Sequence, residues 1–256
     1  MNQIKIGWLF PDTLYLHGER GNILALERFC KKAGFEPVIT RVEFETEGFT
    51  PMDYDIIFCP PGEIVSYPVI LQWLLPYRED FAQFVAAGKV LVATGTSVAL
   101  WCETVKRTDG STFSGMGLLS AEAVENRVVY GDDNLFACTY NGKTMEILGN
   151  QIQMADFINK GETPFGQLLY GYGNTGKDRN EGFMKNNSVF TNALGPVLVT
   201  NPWLTVSIIE AAAEAKGYKA EWMDCDFQLE QQSFATKKEF IQSKETRLTN
   251  CKAQDQ

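Results

Sequence analysis

Val90-Leu91-Val92-Ala93-Thr94-Gly95-Thr96-Ser97-Val98-Ala99-Leu100-Trp101 is an apolar, β-branched run that stops at Thr94-Gly95 and restarts with helix-forming residues. A buried strand passing at once into a tight turn and a helix N-terminus is how many α/β enzymes raise one side chain above the sheet, with backbone N–H groups beside it for an anion. Here that side chain belongs to Thr94. Its branched Cβ resists the strained backbone such a turn requires, and its hydroxyl needs a neighbouring base before it can act as a nucleophile. The stretch is shaped like an active site but weakly armed.

Upstream, residues 4–10 predict a first strand ended by Pro11-Asp12, and residues 23–29 keep helical spacing up to Gly34. Residues 37–44 predict a second strand, residues 53–59 a third that breaks at Pro60-Pro61-Gly62, and residues 69–87 a helix apart from Pro76, capped by Gly88. Strands alternating with helices in this way predict parallel βαβ units, whose ligands lie beyond the carboxyl ends of the strands. The loops after Phe10, Cys59 and Thr94 then share one rim.

Downstream of Gly110 the pattern changes. Residues 127–130, 135–140, 144–148 and 167–172 predict short strands divided by turns such as Asn141-Gly142, a largely antiparallel extension of the sheet. A polar loop over 171–182, a strand over 188–191 and a helix over 202–216 ended by Gly217 follow. The division expected is one domain over 1–217 and a charged, helical tail over 218–256 with a frayed end.

Composition narrows the function. With 256 residues, 45% of them hydrophobic, the chain can bury a substantial core. Its formal charge of −9, with Lys and Arg interspersed among carboxylates, argues against a nucleic-acid surface. No run reaches the length of a membrane span and the start shows no signal-peptide pattern, so a cytoplasmic protein with no cofactor is expected. Six cysteines (Cys30, Cys59, Cys102, Cys138, Cys225, Cys251) include no C-x-x-C pair and read as buried small hydrophobes rather than zinc or redox ligands. One histidine, His17, is present, so any imidazole chemistry must pass through it.

Five segments in order resemble a known family: Pro11-Asp12-x-Leu14-x-Leu16-x-Gly18-Glu19-Arg20-Gly21-Asn22-Ile23, the Thr94-Gly95 turn, Gly115-Met116-Gly117-Leu118-Leu119, Gly171-Tyr172-Gly173-Asn174, and Leu194-Gly195-Pro196-Val197-Leu198-Val199-Thr200-Asn201-Pro202. Together, over residues 4–217, they look like the successive signatures of the CobB/CobQ-type glutamine amidotransferases. The resemblance implies a three-layer, flavodoxin-like class I glutamine amidotransferase fold, with a mostly parallel central sheet and an antiparallel extension. It also implies a heterodimer with a MurT-like ATP-dependent ligase that amidates a cell-wall precursor, fed by ammonia from glutamine.

The same resemblance locates the departures. Where the family carries Cys-Gly-Gly-Tyr-Gln, this chain has Thr94-Gly95-Thr96-Ser97-Val98, so the nucleophile position holds an alcohol far less ionised than a thiol. The catalytic histidine position falls on Leu194, which can neither accept a proton nor orient a nucleophile. Consecutive glycines that supply oxyanion N–H groups are replaced by Pro60-Pro61-Gly62, and proline has no N–H. The family's Gly-Phe-Glu-Asn-His segment becomes Gly149-Asn150-Gln151-Ile152-Gln153. Arg127 matches an arginine that holds the substrate glutamine, and a surface ion pair explains it equally well. A relocated Cys59–His17 pair is a weaker possibility.

The expectation is a catalytically degenerate subunit that binds or scaffolds a MurT-like ligase, with no assured catalytic residue and with Arg127, Gly95 and Gly62 as candidate substrate contacts. Two alternatives stand beside it: an active glutaminase with a rewired site, and a sensor that binds glutamine or another amino acid.

Overall fold

The computed structural model describes residues 2–223 and 225–254, the last ten by backbone alone, so the Cys251 side chain and the end of the expected tail lie outside the described residues. In chain order the strands are β1 (Gln3–Leu9), β2 (Glu36–Val42), β3 (Ile56–Cys59), β4 (Val90–Thr94), β5 (Thr104–Lys106), β6 (Thr112–Ser114), β7 (Ala121–Tyr140), β8 (Lys143–Asn159), β9 (Gly166–Tyr170), β10 (Asn180–Glu181), β11 (Phe183–Lys185) and β12 (Ser188–Thr191). The helices are α1 (Arg20–Lys32), α2 (Tyr67–Leu74), α3 (Arg78–Ala86), α4 (Val98–Trp101), α5 (Val197–Thr200), α6 (Pro202–Ala215) and α7 (Gln228–Gln254).

The first sheet runs β11-β12-β4-β3-β1-β2, parallel except for the β11–β12 hairpin. β3, β4 and β12 are buried along their whole length, which is why they read as continuous apolar runs rather than alternating ones. Alternate residues serve opposite faces: Ile57, Leu91 and Ala93 pack toward α2, α3 and α4, and Ile56, Val90 and Val92 toward α1 and α6. This is the layered α/β arrangement expected from the alternation of strands and helices. The single helix expected over 69–87 is two, because Pro76 lies in a short 3₁₀ turn over Leu75–Tyr77 that separates α2 from α3.

The antiparallel half forms a sheet of its own, β10-β9-β7-β5-β6 with β8 paired to β7. Four expected short strands are in fact dominated by one long ribbon, β7 and β8, turning at Asn141-Gly142. An isolated antiparallel bridge between Asn150 and Leu194 ties this ribbon to the segment after β12. The second half therefore reaches the end of the first sheet where Thr94 lies.

The tail is docked through the first part of α7. Phe234 meets Trp203 edge-on at 5.4 Å, Ile241 is buried against Leu135 and Leu148, and Lys244 bonds Asp132 and Asp133 at 2.6 and 2.8 Å. Burying one isoleucine contributes about 2 kcal/mol, whereas half-exposed ion pairs contribute about 1 kcal/mol or less each, so the apolar seam holds the helix and the lysines align it.

Candidate functional site

Thr94 ends β4 in relaxed extended geometry (φ −122°, ψ 142°), and the left-handed turn is taken by Gly95 at φ +57°. The strain foreseen at Thr94 is thus carried one residue later by a glycine that tolerates it. Thr94 is 0% exposed. Its side chain is enclosed rather than presented.

The group facing its hydroxyl is a carboxyl. Thr94 Oγ1 donates to Glu19 Oε2 at 3.2 Å, Asn22 Nδ2 donates to the same oxygen, and the Gly195 N–H donates to Glu19 Oε1 at 2.9 Å. Glu19 is fully buried, and burial pushes its carboxyl up to about 7 despite the opposing pull of these three hydrogen bonds. No cation figures among the causes, so desolvation decides the direction. One carboxyl therefore joins the start of α1, the end of β4 and the loop before α5.

Leu194 covers the turn. It is 2% exposed, and a Cβ added to Gly95 would lie 2.8 Å from its Cδ2 and 3.3 Å from Pro61 Cβ. Leu194 is held there by backbone hydrogen bonds to Asn150 of 2.8 and 3.0 Å, so the histidine position and the 149–153 segment do meet beside the turn. The third loop meets it too. The Gly62 N–H donates to Thr96 Oγ1 at 3.2 Å, and the Thr96 hydroxyl donates back to the Gly62 carbonyl at 2.7 Å. Leu14 lies over Gly62, with Cδ2 2.4 Å from where a Cβ would stand. The remaining N–H of the Pro60-Pro61-Gly62 loop is thus partnered and roofed.

The other candidates stand apart. Arg127 is exposed on β7, within a stretch that has no register partner. Cys59 is 0% exposed and burial pushes its thiol up to about 12, whereas His17 is exposed in the 13–18 loop, its imidazole lowered chiefly by partial burial and opposed by Glu63. A thiol so disfavoured as thiolate is a poor nucleophile at neutral pH, and no hydrogen bond joins Cys59 to His17 among the described residues. Among those residues no group of three or more His, Cys, Asp or Glu is placed to hold a metal, and no helix is long and apolar enough to cross a membrane.

Reasoning from sequence foresaw the meeting of Thr94, Gly95, Gly62 and Leu194 but missed Glu19. Its signal was present, a single carboxylate between glycines in Gly18-Glu19-Arg20-Gly21, but an acid just before a helix ordinarily reads as a solvent-exposed helix-end residue. A cavity of about 400 Å³ opens beside Asp132, Tyr170, Tyr172, Lys177 and Arg179, and one of about 280 Å³ beside Trp8, Leu14, Tyr15, Arg20 and Arg41; Thr94 lines neither.

No family model matches the chain. It is 26% identical over 241 residues to the Staphylococcus aureus (strain N315) lipid II isoglutaminyl synthase (glutamine-hydrolyzing) subunit GatD, covering 91% of this chain and 94% of that one. It is 24% identical over 221 residues to the Streptococcus pneumoniae (strain ATCC BAA-255 / R6) subunit of the same name, covering 84% and 82%. Among solved structures, the glutaminase domain of Trypanosoma brucei CTPS with bound acivicin superposes with a TM-score of 0.51 at 11% identity, over 88% of this chain. The chain is a homologue of the GatD subunits, built on the α/β fold of the class I glutamine amidotransferases.

Proposed function

We propose that this chain is a cytoplasmic GatD-like subunit that does not hydrolyse glutamine and acts by association, as the structural partner of a MurT-like ATP-dependent ligase in cell-wall precursor amidation. The observation that carries the reading is the closure of the turn: Thr94 is fully buried and bonded to Glu19, with Leu194 and Pro61 over Gly95. Acyl transfer needs a reachable nucleophile, a base and free N–H donors for the oxyanion. Here the alcohol is enclosed, and the Gly62 N–H is already bonded to the Thr96 hydroxyl of the turn after β4. A space too small for a methyl group on Gly95 also weighs against an amino acid seated there as a sensed ligand.

One observation favours a second reading, an active enzyme with a rewired site. A carboxyl shifted to about 7 within hydrogen-bond reach of a hydroxyl has the chemistry of a general base beside its nucleophile. Opening of the Leu194 roof would have to accompany catalysis. Purified chain, alone and mixed with the ligase subunit of its own genome, separates the two by ammonia release from glutamine against a Thr94→Ala control. Co-elution of the two proteins without Thr94-dependent ammonia supports the structural subunit; turnover abolished by Thr94→Ala overturns it.

A further inference from the structure

The cavity of about 400 Å³ in the second sheet is walled by Tyr170 and Tyr172 and by Lys177, Asp178 and Arg179 of the loop that follows β9. That loop is fixed before anything binds. Gly173 takes left-handed backbone at φ +62°, and a Cβ there would lie 2.3 Å from the Asn180 carbonyl oxygen, so only glycine lets the loop fold back so closely. The Gly176 N–H donates to the Tyr172 carbonyl at 2.8 Å, and the N–H groups of Tyr172 and Gly173 donate to Gln151 Oε1 at 3.2 and 3.1 Å. Tyr172 is also braced edge-on by Tyr130 at 4.8 Å and remains 37% exposed, which leaves a held ring with open surface at the cavity.

The charged groups of the wall are unequally engaged. Asp132 accepts from Lys244 at 2.6 Å and from the Tyr170 hydroxyl at 2.7 Å. Asp178 accepts from the Thr175 hydroxyl at 3.0 Å and from the Asn180 N–H at 2.8 Å, so both its oxygens serve its own loop. The cations are met by neutral groups or by none. Arg179 Nε and Nη2 donate to the Leu168 carbonyl at 3.1 and 2.6 Å, which fixes the guanidinium plane without neutralising it. The Lys177 ammonium has no partner among the described residues. With Asp132 set against Lys244, the wall holds Lys177 and Arg179 against Asp178 alone, an excess of positive charge in a chain of net charge −9.

We infer that this cavity is a binding site for a small ring-bearing acid, with the ring against Tyr172 and the carboxylate or phosphate on Arg179 and Lys177. The volume is that of a small-molecule site, and such sites are largely pre-formed, with a few placed polar groups that orient the ligand. A planar guanidinium meets either acid through paired N–H groups, and one already held by backbone carbonyls has little ordering entropy left to lose. A neutral ring of the same size leaves the excess charge unmet. The site lies apart from the sealed turn and goes beyond the structural-partner reading, so its test needs no ligase.

The full chain is titrated with benzoate, phenyl phosphate and benzyl alcohol, and binding is followed through the backbone amide signals of residues 168–179 by NMR. The expected result is saturable shifts with at least one of the two acids, bound about tenfold or more tighter than the neutral alcohol. Preference for benzoate assigns the site to carboxylic acids and preference for phenyl phosphate to phosphate esters. Lys177→Gln, which removes one charge, and Arg179→Lys, which keeps the charge and removes the fork, are each expected to weaken the preferred acid by about threefold or more. Both side chains are exposed, and unchanged thermal unfolding verifies each fold; should Arg179→Lys disturb its loop, Lys177→Gln decides. Failure of both acids to saturate these signals by about 10 mM, equal binding of benzyl alcohol, or acid binding unaltered by Lys177→Gln overturns the inference and leaves the partner reading intact.

Discussion

The end of β4 and the middle of β7 are opposites. At the first, the polar groups around the turn bond one another: Thr94 bonds Glu19, Gly62 bonds Thr96, and Leu194 lies over Gly95. At the second, hydrogen bonds from Asn126 and Tyr130 to Asp156 flank a segment whose Arg127, Val128 and Val129 side chains are exposed. The first is the place where an α/β sheet ordinarily offers a ligand site, and the second has no counterpart in the parallel-sheet plan. The two regions belong to separate hydrogen-bonded sheets, so closure at the carboxyl rim of the first and exposure in the second are set by different packing.

Several measurements break or sharpen that contrast. Leu194→Ala removes a fully packed roof and is expected to cost about 3 kcal/mol in denaturant unfolding, because the rigid Asn150 bridge limits collapse of the space left. Val128→Glu is expected to change stability by no more than about 0.5 kcal/mol. Equal losses at the two sites would erase the distinction between a sealed interior and an exposed strand segment.

The sealed region also has a pH signature. Glu19 and Glu181 are both fully buried carboxyls raised from 4.5 to about 7, chiefly by desolvation. They flank adjacent strands, since Thr191, bonded to Glu181 at 3.0 Å, is the register partner of Thr94. Each carboxyl holds its proton more tightly folded than unfolded, so the folded state binds more protons between pH 4.5 and 7. Stability from each is therefore complete below that window and declines as pH rises through it, by about 3 kcal/mol per group at most. Glu19→Gln and Glu181→Gln should each flatten the unfolding free energy against pH over this range. An unchanged slope in both would mean that these groups are more solvated than their burial implies.

The smallest effect belongs to the tail. Lys244→Ala removes an ion pair with Asp132 and Asp133 that stands partly in water, with an expected cost below about 1 kcal/mol that shrinks in high salt. Ile241→Ala, which empties the apolar seam, should cost more. If the order were reversed, the charged groups and not the seam would hold α7.

Much of the first sheet was legible because β3, β4 and β12 are buried on both faces and read as uninterrupted apolar runs. The ribbon was not. Gly131 and Asp132-Asp133 look like turn residues, yet they sit in the interior of β7; a Cβ at Gly131 would lie 2.0 Å from the Gln151 carbonyl, so glycine is there for a close backbone approach and not for a turn. At the site, the residues that meet at Gly95 could be named in advance because family motifs mark their positions. The Glu19–Thr94 hydrogen bond spans 75 residues, and no local pattern announces a pairing of that range. The unpaired stretch at 126–129 was invisible for a related reason: it exists only as a mismatch between two strand registers.

On the proposed function, the alcohol at the end of β4 does no chemistry. Ammonia release from glutamine by the chain in complex with its ligase subunit, compared with the same complex carrying Thr94→Ala, tests it most directly. Identical background rates in the two complexes are predicted; glutamine turnover in the natural complex that disappears with Thr94→Ala would contradict it.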